Sequence, residues 1–437
     1  MKKRMIYLLI FVLALTFCGC EMRTVDKMYA PPRRSDDFYS LQTVINAAME
    51  GYAYCAPSSG DHQQIVQTAD LNGDNVQECL VYAQNDAEQP LHILIFSMVN
   101  NEYVHTQTLN FTGSAFDKVE YAQMDDKPGM ELIVGTQVSN QVTRSVSVFS
   151  FHSQEAEQLV TAGYIKFLTV DLDADDFSEL FVLRAGPTET DRGVVELYSA
   201  SAGVMERSVE VNMSEAANNL KRILVGKLHE GKPAVYVASA VDEDTLVTDV
   251  YAMVEDAFTN VSLSNESGTS MKTMRNYFVY ADDMDSDGIM ELPAMIPMRS
   301  IDTASKDSGQ NMIRWYSMAS DGSEVDKLYT YHNFIGGWYM QFDSAIAERI
   351  SVVDRGNVCD FYIWEGARAE KLLSIHTLTG QSREEQSTSN NRFALYKGES
   401  VIYAASLDHG ASNYAMTQQT LMQSFHMIHE HWNTGET

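Results

Sequence analysis

The sequence predicts a mainly β protein: a β-propeller of about five four-stranded blades, followed by a small C-terminal α+β domain. Two observations carry this prediction and a third excludes its main rival. A short acidic loop recurs, with copies beginning at residues 70, 123, 171, 226 and 283, so neighbouring copies stand 48 to 57 residues apart. The intervals hold short runs of β-branched and aromatic residues separated by Gly, Asn, Asp or Ser, which read as strands and turns. Helical repeats of similar period would place apolar residues at i, i+3 and i+4, and that pattern is missing.

In chain order, residues 1–19 read as an export signal. Lys2, Lys3 and Arg4 precede the apolar run 5–17. That run is too short to cross a bilayer, which takes about 20 residues. Gly19 stands directly before Cys20, as a bacterial lipoprotein signal requires, so Cys20 is the expected lipidation site. Residues 20–37 contain Pro31-Pro32-Arg33-Arg34 and read as a tether, and 38–60 as an N-terminal helical lead-in. The repeats fill 61–333. In the first three units the expected strands are 64–69, 78–83, 91–98 and 103–109; then 118–123, 131–137, 145–152 and 158–162; then 165–170, 179–184, 194–200 and 205–211. Residues 334–437 lack the loop and form the expected α+β domain, with a helix over 414–432. Its strand order resembles that of PsbP-like domains. His426, His429 and Glu430 share one side of that helix, which reads as a solvated end. Cys55, Cys79 and Cys359 are too few for a disulfide framework, and a Cys55–Cys79 bridge and free thiols both remain open.

Three loops carry the chemistry. Oxygen-bearing side chains stand at positions 1, 3, 5 and 9: Asp70, Asn72, Asp74 and Glu78; Asp171, Asp173, Asp175 and Glu179; Asp283, Asp285, Asp287 and Glu291. Alternate positions of a tight loop aim into one concavity, and hard oxygens in that number suit Ca²⁺. No nitrogen or sulfur donor interleaves, which disfavours zinc or copper. An EF-hand would place its bidentate Glu at position 12 between helices, whereas here the acid falls at position 9 and a strand follows. In the second copy Gln123 and Lys127 replace two ligands, and the copy at 226 keeps almost none.

This loop, recurring at blade spacing, resembles the calcium loop of FG-GAP and VCBS-type repeats, as in integrin-α-like β-propellers. No Phe-Gly…Gly-Ala-Pro segment precedes the loops, so VCBS-type is the better name. The resemblance covers residues 61–333 and implies calcium at the loops beginning at 70, 171 and 283.

Composition narrows the function. Sixty acidic residues against 31 Lys and Arg, a net charge of −29, exclude an ordinary nucleic-acid binder and disfavour docking on anionic lipid. Twenty-two Tyr and 18 Phe exclude a disordered chain. No Gly-x-Ser-x-Gly elbow or phosphate loop is present. The expected function is non-enzymatic: a calcium-binding, lipid-anchored extracytoplasmic module that recognises a surface protein or glycan and meets the cell membrane only through its anchor. The alternative is an extracytoplasmic polysaccharide hydrolase or lyase on the same scaffold. A third reading is an accessory lipoprotein that contacts proteins through its C-terminal domain.

Overall fold

The computed structural model describes residues 36–138, 144–153, 155–188, 190–201, 204–264, 266–276, 279–301 and 307–428. The expected signal, Cys20, most of the tether, and His429 to His431 lie outside the described residues. The protein is mainly β, built from antiparallel sheets of four or five strands.

Six such sheets follow one another along the chain among the described residues. Sheet 1 contains Val66–Ala69, Glu78–Gln84, Leu91–Val99 and Glu102–Phe111, with the short Ala53–Tyr54 alongside. Sheet 2 contains Ala115–Ala122, Glu131–Gln137, Arg144–Ser150 and Glu157–Tyr164. Sheet 3 is built from Lys166–Val170, Glu179–Arg184, Val194–Ser201 and Val204–Arg207, with Val211–Asn212 added. Sheet 4 comprises Leu220–Lys227, Pro233–Ala240, Leu246–Val254 and Ala257–Asn260. The four main strands of each sheet pair in chain order, so each sheet is a meander. The acidic loops join the first strand to the second.

The second strand shows how the sheets stack. Glu78–Gln84, Glu131–Gln137 and Glu179–Arg184 are buried along nearly their whole length rather than on alternate residues. A strand packed on both faces loses polar alternation. Buried clusters accordingly run from each sheet to the next. Tyr82 and Ile93 meet Phe116 and Val134, and Ile133 and Val148 meet Phe167 and Leu180. Phe181 and Leu197 meet Val235 and Tyr251, and Tyr236 and Val250 meet Leu292 and Tyr316. Helices cover the outer faces of the first and last sheets. Ile45 and Met49, on and just beyond the helix Asp36–Ala48, pack on Cys79, Val81 and Phe96 of sheet 1. The helix Arg383–Thr388 lies against the strands of sheet 6 that bury Leu378, Ile402 and Ala404. Cys55, Cys79 and Cys359 are free thiols.

The C-terminal region departs from the expected separate α+β domain. Sheet 5 contains Glu291–Arg299, Asp307–Met318, Glu324–Asn333 and Trp338–Phe342, so the boundary expected at 333/334 falls inside a hairpin. Its first strand has shrunk to one bridge, Asp282 to Glu291. Sheet 6 contains Ile350–Asp354, Val358–Glu365, Arg368–Thr379, Val401–Leu407 and Phe393–Lys397. It packs on sheet 5 as the earlier sheets pack on each other, with Tyr331, Trp338 and Met340 against Val352, Phe361 and Ile363. The helix expected over 414–432 spans only Gln418–Ser424, begun by a Thr417 cap. Phe425–Met427 then turns into a strand that pairs with Trp338–Met340. The physical reason is tertiary: Phe425 stacks 5.3 Å from Trp338, and the sheet edge supplies backbone partners that override helical periodicity. His426 therefore lies on a strand, its ring 5.0 Å from that of Tyr339, rather than on a helix face.

A shared core between sheets 5 and 6 has a measurable consequence. Phe361 is fully buried there, so Phe361→Ala should cost about 3–5 kcal/mol and lower the main unfolding transition seen by calorimetry. A separate, smaller transition that alone shifts in the variant would restore an independent C-terminal domain.

Candidate metal centres

The three complete loops adopt one backbone shape. Positions 4 and 6 both take the left-handed conformation: Gly73 and Asn75, Ala174 and Asp176, Ser286 and Gly288. Only Gly holds that conformation freely, and Asn and Asp tolerate it better than other residues. Backbone N–H groups then turn inward and fix the acids. Asp70 accepts from Gly73 and Asn75, Asp171 from Asp175 and Asp176, and Asp283 from Asp287 and Gly288. The position-5 acid accepts from the N–H of position 7 in every copy: Asp74 from Val76, Asp175 from Phe177, Asp287 from Ile289.

Position 9 belongs to the sheet. Glu78, Glu179 and Glu291 open the second strand and are buried. In each, Oε2 accepts from the N–H of position 2, at 3.0, 2.7 and 2.9 Å for Leu71, Leu172 and Met284. Oε1 is left to face the loop. In the copy at 283, Glu291 Oε1 is buried and has no hydrogen-bond partner. The position-2 side chain does the opposite work: Leu71 and Leu172 turn away from the acids into the cores between sheets.

The carboxylates converge. Ligand atoms of Asp171, Asp173 and Glu179 lie within 4.8 Å of one another, as do those of Asp283, Asp285 and Glu291. Burial, with Asp173, Asp175 and Asp171 adding repulsion, pushes Glu179 up to about 7. Burial does the same to Glu291, with Asp285 adding repulsion. Burial also raises Glu78, with Asp74 adding repulsion. An oxygen-only donor set, anchored on one buried Glu and otherwise open to solvent, with Glu291 Oε1 orphaned, fits a hard divalent cation such as Ca²⁺, which takes six to eight oxygens. The first loop differs in detail, because Asn72 Nδ2 donates to Glu78 Oε1 at 3.1 Å. Its amide must turn to present oxygen there.

The other two copies reveal how the loops join the sheets. The N–H at position 8 donates to the position-1 carbonyl of the loop before: Met130 to Asp70 and Ser178 to Gln123. Met290 donates likewise to Lys227, and Leu228 fills the buried position-2 place, so the copy expected at 226 begins at 227. A Cβ on Gly73 would stand 2.4 Å from the Pro128 backbone, so the first two loops touch main chain to main chain.

Two basic side chains near the loops were not legible from loop spacing. Lys327, on the strand Glu324–Asn333, reaches Asp287 Oδ2 at 2.5 Å and lies 4.0 Å from Asp285 Oδ2 and Glu291 Oε1. His152 stands beside Asp125 and Glu131 of the second copy. Both lie a strand or more away in sequence, where only pairing of the folded sheet brings them in.

The opposite end of the stack holds an open cleft. Between sheets 4 and 5, Asp242, Glu243, Asp244, Arg275, Pro297 and Asn311 line about 1090 Å³. Behind it Asp249, fully buried, accepts from the Ser214 N–H and from the side chains of Ser214, Asn260 and Ser270. Arg275 is also buried and donates to Thr248 Oγ1, Thr273 O and Val279 O. The Asp249 network rigidifies its surroundings, while Arg275 Nη2 is buried without a hydrogen-bond partner.

No family model matches the chain, and no curated protein matches it. Among solved structures it is similar to the exotype rhamnogalacturonan lyase YesX, at 12% identity and TM-score 0.31, over 82% of this chain and 72% of that one. It is similar to the Bacillus licheniformis rhamnogalacturonan lyase PL11 at 11% identity and TM-score 0.31, over 72% and 70%. The rhamnogalacturonan lyase YesW gives 10% and 0.31, over 71% and 70%. Similarity at this level assigns no activity.

Glu179 gives the calcium-free loops a signed pH dependence. Its ordinary value is 4.5 and its folded value about 7, so between them the folded state holds more protons than the unfolded one. Stability without calcium should therefore be fullest below about 4.5 and fall as pH rises through about 7. Glu179→Gln should flatten that fall in urea midpoints measured with EGTA. An unchanged slope would contradict the strained carboxylate.

Proposed function

We propose that the chain is a calcium-stabilised binding module, lipid-anchored through Cys20 outside the cytoplasm, that recognises a surface protein or glycan. Its sheets act as blades of propeller type, stacked face to face, with a helix on the outer face of the first and of the last. The loops beginning at 70, 171 and 283 hold calcium, and the metal is architectural. The observation that carries the reading is a division between the two ends of the stack.

One end is a row of acidic loops cross-linked by main-chain hydrogen bonds. The strand Pro233–Ala240 leads from that end to the hairpin at 241–245, which lines the cleft. A smaller hollow of about 210 Å³ adjoins the cleft, sharing Met295 and Asn311, and is bounded by Phe334 and Ile335. Ile335 is 97% exposed at a hairpin tip. An exposed apolar tip beside a polar cleft on a rigid frame is the composition of a recognition surface. The acidic rim of Asp242, Glu243 and Asp244 favours neutral or basic ligands over polyanions.

The test is a binding screen with the immobilised chain in calcium, against neutral glycans, anionic polysaccharides and envelope proteins. Expected is saturable binding to a neutral glycan or basic protein, weakened at least about tenfold by Ile335→Asp, a shift of ~1.4 kcal/mol. Release of unsaturated sugar from a polysaccharide would instead establish the lyase alternative. Binding indifferent to Ile335 would move the site elsewhere.

A further inference from the structure

The second repeat loop has lost its calcium set, yet three of its neighbours still converge. We propose that Asp125, Glu131 and His152 form a site for one divalent transition-metal ion of the zinc class, separate in chemistry from the oxygen-only loops.

The donors come from three places that only the folded sheet unites. Asp125 is position 3 of the loop, Glu131 opens the second strand of sheet 2, and His152 follows the third strand, Arg144–Ser150. His152 Nε2 lies 3.1 Å from Glu131 Oε1 and 3.3 Å from Asp125 Oδ1, and the three atoms stand within 4.8 Å of one another. Zinc binds such donors at about 2.0–2.2 Å, which places ligand atoms about 3.0–3.5 Å apart at tetrahedral or octahedral angles. The observed separations fall in that interval.

A second observation points to a ligand. Glu131 is 1% exposed, and its Oε1 and His152 Nε2 are both buried without a hydrogen-bond partner. Glu131 Oε2 is already taken by the Met124 N–H, which aims Oε1 into the cluster. Buried polar atoms are rarely left so unless something unseen satisfies them. An imidazole nitrogen with two carboxylates is a poor set for calcium and a good one for zinc or cobalt. Room for further ligands exists: a pocket of about 350 Å³ opens on Asp125 and His152, with Ser150, Ser153 and Glu157 on its walls. Lys127 Nζ is 3.6 Å from Asp125 Oδ2 and half in solvent, so its flexible stem can withdraw.

The rival account is that protonated His152 and Lys127 themselves replace the missing cation. The experiment uses the full chain in detergent with calcium in excess, titrated with Zn²⁺ by calorimetry and with Co²⁺ by visible absorption. Expected is one saturable site that calcium does not displace, with a Co²⁺ ligand-field band. His152→Ala should weaken it by more than about tenfold, the loss that even an outer-shell partner can cause. Lys127→Met, an exposed change that leaves the fold intact, should strengthen it, and Glu179→Ala should leave it unchanged. Absence of a saturable site, equal affinity in His152→Ala, or displacement by calcium would each overturn the proposal.

Discussion

The nine-position turn, which gathers carboxylates on one side and hands its last residue to a buried strand, is the constraint around which the repeated sheets are built. Each complete loop turns its acids inward by taking left-handed backbone at two positions, and each hangs its ninth residue on the start of a buried strand. Burial raises Glu179 and Glu291 first, and the neighbouring acids add repulsion to it. The same turn drives its second residue into the core between sheets and ties its eighth N–H to the preceding loop. In the complete loops the same turn therefore serves both the acids and the cohesion between sheets.

The copies that lost their acids show the same geometry satisfied by other means. The second retains the hydrogen bond from the Met124 N–H to Glu131, with His152 and Lys127 beside its acids, and the fourth retains Leu228 and the contact from Met290. Lys327 does for the last loop in part what an ion would do. The stitching between sheets is present where the ligand set is not, so the packing role of the turn does not require the metal ligands.

Much of this was legible in the sequence for a physical reason. Strands such as Glu78–Gln84, Leu91–Val99 and Glu179–Arg184 are continuous apolar runs bounded by turn residues, and local pattern suffices to find them. The convergence of the acids at 171 and 283 was legible because alternate positions of a tight turn aim to one side. That sheet 6 joins the stack was not, because it carries no loop and its membership rests on Trp338 and Phe361 meeting across a sheet interface. The strand Phe425–Met427 was hidden by periodicity that also suits a helix, and its partner lies some ninety positions earlier. His152 and Lys327 were hidden for the same reason, since pairing across strands leaves no mark on spacing.

The measurement that tests the account most directly is thermal unfolding of the chain with saturating calcium and then with EGTA, joined to a calorimetric count of calcium sites. The account predicts a saturable rise in melting temperature and three oxygen-only sites, each adding about 2.7 kcal/mol when calcium stands at 100 times its dissociation constant. Identical melting in the two conditions, with no saturable binding, would contradict it.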